Sequence, residues 1–381
     1  MLHRHIEEEI QKYLSEDSNK IFFIWGPRRS GKTTILKKIK ADFGYPRFNF
    51  DLISDRDKFQ PVKHILARIA EEHDVILIDE VQNYPEATVS LKILHDEFNI
   101  KIIATGSSEL RQKSNQFDSL AGRFIERYCL SFSVEEVYVN SDIKKYDVPE
   151  WWKHTSEYAQ IYGMYPELSS FEDGAMVEEK RIDALQNILD TYILKDIIQI
   201  YNLKDTKLAQ QILISIALQL GSEVSIRELA NNLKSTAVTV SNYIEIFIKN
   251  YVLIEVSPFK TNIRRAISQH KKLYFTDLGV RNILIRDFRP LALRQDKGGV
   301  FENFVISEIY KKIKNHHKKL SMYFYRQYDG REVDLVLEDY YKNYTCLEIK
   351  YMNGVLKDVF PLPYTGLVLN SENFFEYIQN L

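Results

Sequence analysis

The stretch from Ile21 to Thr34 constrains the fold more than any other part of the sequence. It begins with five apolar residues, IFFIW, continues into GPRRSGKTT, and is followed by a helical pattern of apolar residues. The glycine, lysine and threonine positions fit the phosphate-binding pattern G-x-x-x-x-G-K-[ST]. A chance glycine-rich turn could match these letters, but this match lies between a strand pattern and a helix pattern, as a P-loop requires. The sequence therefore predicts a phosphate-binding loop.

The residue types in this loop predict how a nucleotide would be held. Gly26 and Gly31 let the backbone turn tightly, so that successive N–H groups point inward at phosphate oxygens. We expect Lys32 to reach the β- and γ-phosphates of ATP and the Thr33 hydroxyl to bind Mg²⁺. The predicted nucleotide-binding residues are Gly26, Pro27, Arg28, Arg29, Ser30, Gly31, Lys32, Thr33 and Thr34.

A second apolar run, Val75 to Ile78, ends in two acids, Asp79 and Glu80. This pattern matches the Walker B motif, and an exposed acidic turn is the alternative interpretation. The carboxyl ends of strands are where an open α/β sheet places its ligand chemistry. We therefore expect Asp79 to hold the Mg²⁺ shell and Glu80 to polarise the attacking water.

A third strand pattern, Lys101 to Thr105, is followed by small polar residues. A polar side chain at this strand end could sense the γ-phosphate, and Thr105, Ser107 and Ser108 are the candidates. Three apolar strands separated by helices predict a parallel, doubly wound sheet.

The composition excludes several classes of protein. At 381 residues the chain is long enough for two or three domains, and 45% of it is hydrophobic. The net charge of −2 excludes a polycation, so nucleic acid would have to meet a local patch. Two distant cysteines suggest a reducing, cytoplasmic setting rather than a disulfide framework. No apolar run approaches the ~20 residues of a membrane helix, and the amphipathic N-terminus does not look like a signal peptide.

Beyond these motifs, the segments VILIDEVQ, IIATGSSE and SLAGRFIERYCLSFSVEE resemble an AAA-type ATPase. They are similar to a group of archaeal and bacterial ATPases that carry a C-terminal nuclease-like domain of unknown role. The resemblance makes Arg123 or Arg127 a candidate arginine finger, acting in cis or on a neighbouring subunit of a homo-oligomer. The planar guanidinium group matches phosphate oxygens and stays charged. The alternative is that both are ordinary surface arginines or pair with Glu126.

Downstream, three helical patterns and two strand patterns follow one another in an order typical of a winged helix-turn-helix. The third helical pattern carries Ser235, Thr236, Thr239 and Asn242, whose small polar groups suit phosphates and base edges. DNA is therefore an expected partner, and the alternative is a module that packs only against protein. Residues 259–272, between the two strand patterns, predict a cationic wing loop that carries Lys260, Arg264, Arg265, Lys271 and Lys272.

The last region combines Glu302, in a helical pattern, with the strand patterns EVDLVL and TCLEIK. This order resembles the PD-(D/E)xK nucleases, with Val333 where many of them have proline. Asp334 and Glu348, on adjacent strands, could converge on a divalent ion with Glu302. Glu348 and Lys350 are two residues apart and face the same side of a strand, so Lys350 could activate water. The alternative is a domain of this fold whose acids are structural or contact a partner.

The patterns together predict an α/β protein with a P-loop NTPase parallel sheet, a helical lid, a winged helix-turn-helix and a restriction-endonuclease-like C-terminal domain. The expected domains are 1–140 (ATPase core), 141–204 (lid), 205–290 (winged helix) and 291–381 (nuclease-like). The expected catalytic residues are Lys32, Glu80, Arg123, Glu348 and Lys350, and the expected metal ligands are Thr33, Asp79, Glu302, Asp334 and Glu348. We expect an ATPase that couples its nucleotide state to the two later domains and acts on DNA. The alternative is a nucleotide-dependent switch or scaffold that binds protein partners and has an inactive nuclease-like domain. Neither interpretation includes a membrane partner.

Overall fold

The computed structural model describes residues 2–107, 120–168, 178–197, 203, 205–260, 270–327, 329–352 and 354–381. Ser108, Arg264 and Arg265, which were named above as candidate contacts, lie outside these residues. The chain divides into two compact units, Met1–Leu130 and Ser131–Leu381.

The N-terminal unit is built on a five-stranded sheet of order β2-β3-β4-β1-β5. All four neighbouring pairs of strands are parallel, as the apolar strand patterns predicted. Central strands of such a sheet are covered on both faces, and every residue of β1 and β3 is buried. The strands are β1 (Ile21–Trp25), β2 (Arg47–Asn49), β3 (Val75–Asp79), β4 (Lys101–Gly106) and β5 (Phe124–Tyr128).

The helices of this unit connect and cover the strands. They are α1 (His5–Ser15), α2 (Lys32–Phe43), α3 (Ile53–Arg56), α4 (Lys63–Glu72) and α5 (Ala87–Phe98). Apolar residues of α1 and α2 pack with strand residues such as Phe22 and Ile103 in one buried cluster. Helix α2 begins directly after the loop, so its N-terminus opens at the carboxyl end of β1.

The second unit is mainly helical in its first half. Its helices are α6 (Val134–Val139), α7 (Val148–Tyr162), α8 (Glu178–Asn187), α9 (Thr206–Ala217), α10 (Ile226–Asn232), α11 (Ala237–Lys249), α12 (Leu278–Ile285), α13 (Lys297–Asn315) and α14 (Phe374–Asn380). A π-helical segment, Ile188–Asp196, continues α8. One large apolar cluster unites residues of this π-helical segment with residues of α8 to α12.

Seven strands form the sheet of the second unit, in the order β12-β11-β10-β9-β7-β8-β6. They are β6 (Glu223–Ser225), β7 (Leu253–Pro258), β8 (His270–Phe275), β9 (Leu320–Arg326), β10 (Glu332–Asp339), β11 (Tyr344–Ile349) and β12 (Thr365–Leu369). Strands β7 and β8 are antiparallel, as a hairpin requires. Strand β7 also pairs in parallel with β9, where Ser257 lies beside Tyr323. The hairpin that follows α11 is therefore continuous with the C-terminal strands.

Two polar contacts tie distant segments of the second unit together. At Gly163, where φ is +73°, an added Cβ would lie 1.8 Å from Asp277 Oδ1. The backbone N–H of Met164 donates to Asp277 Oδ2 at 2.8 Å.

A second contact joins α6 to α13. Lys312 Nζ donates to Glu135 Oε1 at 2.7 Å, and His316 Nε2 lies 3.2 Å from Glu135 Oε2. Burial raises the pKa of Glu135, but its bonds to these two groups outweigh burial and lower the pKa to about 2.

Most elements agree with the sequence patterns. The strand pattern of residues 21–25 and the helical pattern of residues 32–43 are confirmed to the residue. The alternating residues 47–52 (RFNFDL) also predict a strand, but β2 ends at Asn49. The pattern of residues 1–20 predicts one helix that ends in a polar turn, and α1 is shorter, spanning His5–Ser15. Cys129 and Cys346 are free and buried. Within the described ranges, no helix is both long and apolar enough to span a bilayer.

Candidate functional site

The loop after β1 fits against the end of β5 so closely that its first position admits only glycine. A Cβ on Gly26 would lie 2.0 Å from the carbonyl oxygen of Cys129. Arg29, within the loop, has a positive φ of 64°, a conformation that is uncommon for a residue with a side chain. The loop therefore holds a tight, partly strained backbone at the carboxyl edge of the sheet.

Lys32 lies inside this loop. Its side-chain Nζ donates to the carbonyl oxygens of Gly26 at 2.9 Å and Pro27 at 2.7 Å, and the residue is only 4% exposed. Burial lowers the pKa of Lys32, while the charges of Glu80 and Asp79 act in the opposite direction. The ammonium group is thus held by backbone carbonyls and lies within electrostatic reach of both acids.

Asp79, at the end of β3, is 1% exposed and fully engaged by neighbouring strands. The Thr105 hydroxyl donates to its Oδ1 at 2.5 Å, and Arg47 Nη2 donates to its Oδ2 at 2.7 Å. Thr105 belongs to β4 and Arg47 to β2, the two strands beside β3. The adjacent strands therefore fix the carboxylate orientation of Asp79. No sequence pattern singled out Arg47, because its partner becomes apparent only from the strand order.

Glu80 follows β3 in a left-handed backbone conformation, with φ 54° and ψ 47°. The side-chain amide of Gln82 donates to its carboxylate. The carbonyl oxygen of the same amide accepts from the backbone N–H of Ser107 at 3.1 Å. Gln82 therefore bridges the second acid of β3 to the end of β4. The sequence motifs did not predict this role of Gln82, although its position two residues after Glu80 could have indicated a contact with that acid.

Arg4 and Cys129 bind the backbone of the loop at Ser30. Arg4 is buried, and its guanidinium donates to the carbonyl oxygens of Ser30 at 3.1 Å and Leu130 at 2.8 Å. The Cys129 thiol also donates to the Ser30 carbonyl, at 3.3 Å. Because these groups bind the backbone beside Gly31, they stabilise the loop shape without occupying its inner face.

The residues of this loop fit a phosphate ligand. Ser30 Oγ is buried and has no hydrogen-bond partner among the described residues. A buried hydroxyl without a partner is costly, and a ligand or water oxygen could satisfy it. Lys32, Asp79 and Glu80 supply the cation and the carboxylates that a nucleotide with Mg²⁺ requires, and the partly buried Thr33 opens α2 beside them.

One candidate arginine finger, Arg123, directly precedes β5, and the other, Arg127, lies on it. Ile21, the first residue of β1, donates its N–H to the carbonyl of Arg123. Arg123 is thus at the amino end of the strands, about 13 Å from the loop end of β1 at ~3.3 Å per residue. Its Nε donates to Asp96 Oδ1 at 2.7 Å, and this bond lowers the pKa of Asp96 to about 2. The role of Arg123 as an arginine finger stays a prediction.

Arg127 pairs with Glu9 of α1, at 3.0 Å. The side chain of Glu126 accepts from Trp25 Nε1 at 2.9 Å, and Arg127 Nη1 donates to the backbone carbonyl of Glu126 at 3.0 Å. The ion pairs of the two arginines are therefore with Asp96 of α5 for Arg123 and with Glu9 of α1 for Arg127.

In the second unit, the structure brings together the acids predicted from the nuclease-like pattern. Asp334 Oδ2 accepts from the Ile349 N–H at 2.8 Å and from Lys350 Nζ at 3.1 Å. Lys350 also lies 2.9 Å from Glu348 Oε1. Burial raises the pKa of Glu348 despite its pairing with Lys350.

Glu302, on α13, has different partners. The Tyr274 hydroxyl donates to Glu302 Oε1 at 2.6 Å, and Lys272 Nζ lies 3.4 Å from the same oxygen. Burial raises the pKa of Glu302, and the charge of Lys272 opposes that effect. Both partners come from β8, which begins at His270, so Lys272 belongs to this strand and not to the predicted wing loop.

These carboxylates do not fit a shared divalent ion as they are arranged. Among the described residues, Glu302, Asp334 and Glu348 do not offer ligand atoms that all lie within 4.8 Å of one another. Glu348 Oε2 is buried and has no hydrogen-bond partner in the same part of the chain. The role of these three acids as metal ligands stays a prediction.

The start of α11 offers the polar groups predicted to contact DNA. Thr236 caps the helix by accepting from the Thr239 N–H at 3.1 Å, and Thr236 and Asn242 are exposed. Lys271 pairs with Glu255 at 2.7 Å. The basic hairpin segment therefore has fewer available charges than its sequence indicated.

Comparison with known families decides the fold of the first unit. Residues 18–138 match the family model described as an AAA domain. The N-terminal unit has the fold of an AAA-type P-loop ATPase. Residues 153–291 match a domain of unknown function (DUF8612), and residues 297–360 match another (DUF4143).

Related proteins extend over most of the chain. An uncharacterised protein of Methanocaldococcus jannaschii is 28% identical over 341 residues, covering 84% of this chain and 72% of the relative. A second uncharacterised protein of that organism is 24% identical over 315 residues, covering 73% of this chain and 65% of the relative. Among solved structures, the Walker-type ATPase of Pyrococcus abyssi is 17% identical with a TM-score of 0.46, covering 75% of this chain and 96% of that one.

Proposed function

We propose that this chain binds ATP with Mg²⁺ at the loop of residues 26–34 and hydrolyses it. The observation that supports this most directly is the position of Lys32 inside the loop, within electrostatic reach of Asp79 and Glu80 at the carboxyl end of β3. A lysine, a metal-binding carboxylate and a water-activating carboxylate are the groups that P-loop hydrolysis needs.

Each group has a distinct part in the proposed reaction. Lys32 exchanges its two carbonyl partners for the β- and γ-phosphate oxygens and stabilises the charge that develops on them. Mg²⁺, held by Thr33 and Asp79, would neutralise phosphate charge when bound. Glu80 orients a water molecule for in-line attack on the γ-phosphorus, and Gln82 holds the Glu80 carboxylate near the end of β4.

Steady-state ATP hydrolysis tests this proposal. Glu80→Gln keeps the size of the side chain but cannot orient water as a carboxylate does, so we expect turnover to fall by about 100-fold or more while nucleotide binding persists. Glu86→Gln, at an exposed acid of the same segment, is the matched control and should leave turnover unchanged. Wild-type turnover in Glu80→Gln would contradict the assignment.

We further propose that nucleotide state is coupled to a winged helix at residues 205–290, which contacts DNA through the start of α11. The exposed Thr236 and Asn242 support this placement, because DNA affinity depends on groups that can face the phosphate backbone. Asn242→Glu should weaken binding of duplex DNA by about tenfold through repulsion of phosphates, whereas Asn380→Glu, at an exposed residue of the last helix, should not. Equal affinity in both variants would argue against this surface.

A nucleotide-dependent switch that binds protein partners is the second candidate. It is favoured by the pairing of the nuclease-like acids with Lys272, Tyr274 and Lys350, since groups engaged in this way resemble a structural cluster. DNA cleavage in the presence of Mg²⁺ or Mn²⁺ separates the two candidates. Cleavage that disappears in Glu348→Ala supports an active nuclease-like domain at residues 291–381, and intact DNA supports the switch.

A further inference from the structure

Strand β8, which precedes the nuclease-like region in the sequence, contributes two side chains that contact Glu302. Lys272 and Tyr274 are two residues apart and therefore face the same side of the strand. Both contact Glu302 Oε1 of α13, Tyr274 through its hydroxyl at 2.6 Å and Lys272 through Nζ at 3.4 Å. The side chain of Lys272 is 1% exposed, so its ammonium is held away from water.

Lys272 also reaches beyond Glu302. Its Nζ lies 3.7 Å from Glu332 Oε1 on β10 and 5.6 Å from the centre of the Phe324 ring on β9. The side chain therefore crosses the face of the sheet and ends between two carboxylates that belong to a helix and to a strand. Asp334, two residues after Glu332, acts on the same ammonium by charge.

Each carboxylate around this point lies close to a lysine ammonium of the same chain. Lys272 forms ion pairs with Glu302 and Glu332, whereas Lys350 forms ion pairs with Asp334 and Glu348. Buried carboxylates are stable only when a cation or hydrogen-bond donors compensate them.

We propose that the Lys272 ammonium occupies the cation position of the cluster formed by Glu302, Glu332 and Asp334, in place of a divalent ion. The arrangement of the acids follows from this assignment. The Lys272 nitrogen lies 3.4 Å from a carboxylate oxygen of Glu302 and 3.7 Å from one of Glu332. The carboxylates do not converge on one point, as ligands of Mg²⁺ at ~2.1 Å would. A divalent ion binds here tightly only after Lys272 has left. The inference does not depend on ATP binding by the first unit.

Binding of Mn²⁺ to the full-length protein without nucleotide, followed by electron paramagnetic resonance, tests the proposal. Lys272→Met keeps an unbranched apolar stem but removes the charge. We expect it to gain one Mn²⁺ site per chain that binds roughly tenfold or more tightly than any site of the wild type, a difference of about 1.4 kcal/mol per tenfold. Adding Asp334→Asn should abolish the gained site, which shows that it lies in the cluster.

A stability measurement accompanies the binding experiment. Lys272→Met should lower the melting temperature in EDTA, and Mn²⁺ should restore part of the loss because it binds only the folded state. Lys271→Met removes a neighbouring lysine of β8 that pairs with Glu255, and it should neither bind Mn²⁺ nor respond to it. Wild-type protein that binds Mn²⁺ through Asp334 as tightly as Lys272→Met would overturn the proposal, as would a Lys272→Met protein that gains no site.

A second pair of variants keeps the proposal testable if Lys272→Met does not fold. Lys272→Met combined with Glu302→Gln removes one charge of each sign, so the double variant should fold and recover part of the lost stability. Failure of the second substitution to recover any stability would show that Lys272 does not compensate Glu302, and the assignment would be wrong.

Discussion

Replacing Arg4 with alanine should destabilise the N-terminal unit and loosen the nucleotide loop. Arg4 is buried and donates to two backbone carbonyls, those of Ser30 in the loop and Leu130 after β5. Hydrogen bonds from a charged donor contribute about 1.5–3 kcal/mol each. The Ser30 carbonyl keeps the Cys129 thiol as a weak donor, and burial and ordering of the guanidinium offset part of the gain. We therefore expect a loss of about 2–4 kcal/mol in the free energy of unfolding.

The assay has to isolate the first unit, because a chain of two compact units need not unfold in one step. Hydrogen exchange of the buried amides of β1, measured at increasing urea concentrations, reports the local free energy of opening. Arg4→Lys should recover only part of the loss, since a lysine head group lacks the planar fork that spans two carbonyls.

Lys12→Ala is the matched control for Arg4. Lys12 belongs to α1, the helix that Arg4 precedes, and its side chain is 71% exposed, so its removal should change the opening free energy by less than about 0.5 kcal/mol. If Arg4→Ala exchanged like Lys12→Ala, the two carbonyl contacts would not support the loop, and this account of its stability would be refuted.

Three further predictions concern individual contacts in the two units. Thr105→Val removes the hydroxyl that donates to Asp79 and should lower kcat for ATP by about tenfold with little change in KM, because the carboxylate loses its fixed orientation. Gly163→Ala places a Cβ 1.8 Å from Asp277 Oδ1 at a positive φ, and it should destabilise the second unit by about 2 kcal/mol or more in urea unfolding. The pKa of Glu135 is lowered to about 2, so its contribution to stability is complete above the unfolded value of about 4.5 and is lost as the pH falls towards 2. Acid titration of the melting temperature measures that loss.

Each of these predictions has a control in the same part of the chain. Ser15→Ala removes an exposed hydroxyl of the first unit that donates to the carbonyl of Lys12 in its own helix, and it should not change ATP turnover. Gly298→Ala adds a Cβ with open space around it at the start of α13 and should not destabilise the protein. Glu135→Gln should flatten the dependence of stability on pH below about 4.5, and an unchanged dependence would show that Glu135 does not cause it.

The sequence was most informative about the first unit because its apolar runs are long and bounded by clear signals. Five apolar residues before Gly26 and four before Asp79 predict buried parallel strands, and both are present. The strand order could not be read in the same way, since pairing is decided by packing between segments far apart in the chain. For that reason Arg47, Thr105 and Asp79 became recognisable as a group only in the structure.

The second unit was predicted less completely. The periodic helix over residues 237–249 and the alternating strands with Asp334 and Glu348 were apparent from their patterns. The parallel pairing of β7 with β9 has no local signal, because it involves only two residue pairs. Consequently Lys272 looked like a basic surface residue, although its ammonium is buried against Glu302.

Equilibrium binding of a non-hydrolysable ATP analogue with Mg²⁺, measured by titration calorimetry, tests the central claim most directly. The account predicts one site per chain in the wild type, and binding weakened by about 100-fold or more in Lys32→Ala, because about 2.7 kcal/mol of phosphate contact is removed. Lys37→Ala, at an exposed residue of the same helix, should bind like the wild type. Wild-type affinity in Lys32→Ala, or no binding by the wild type, would contradict the claim that this loop holds a nucleotide.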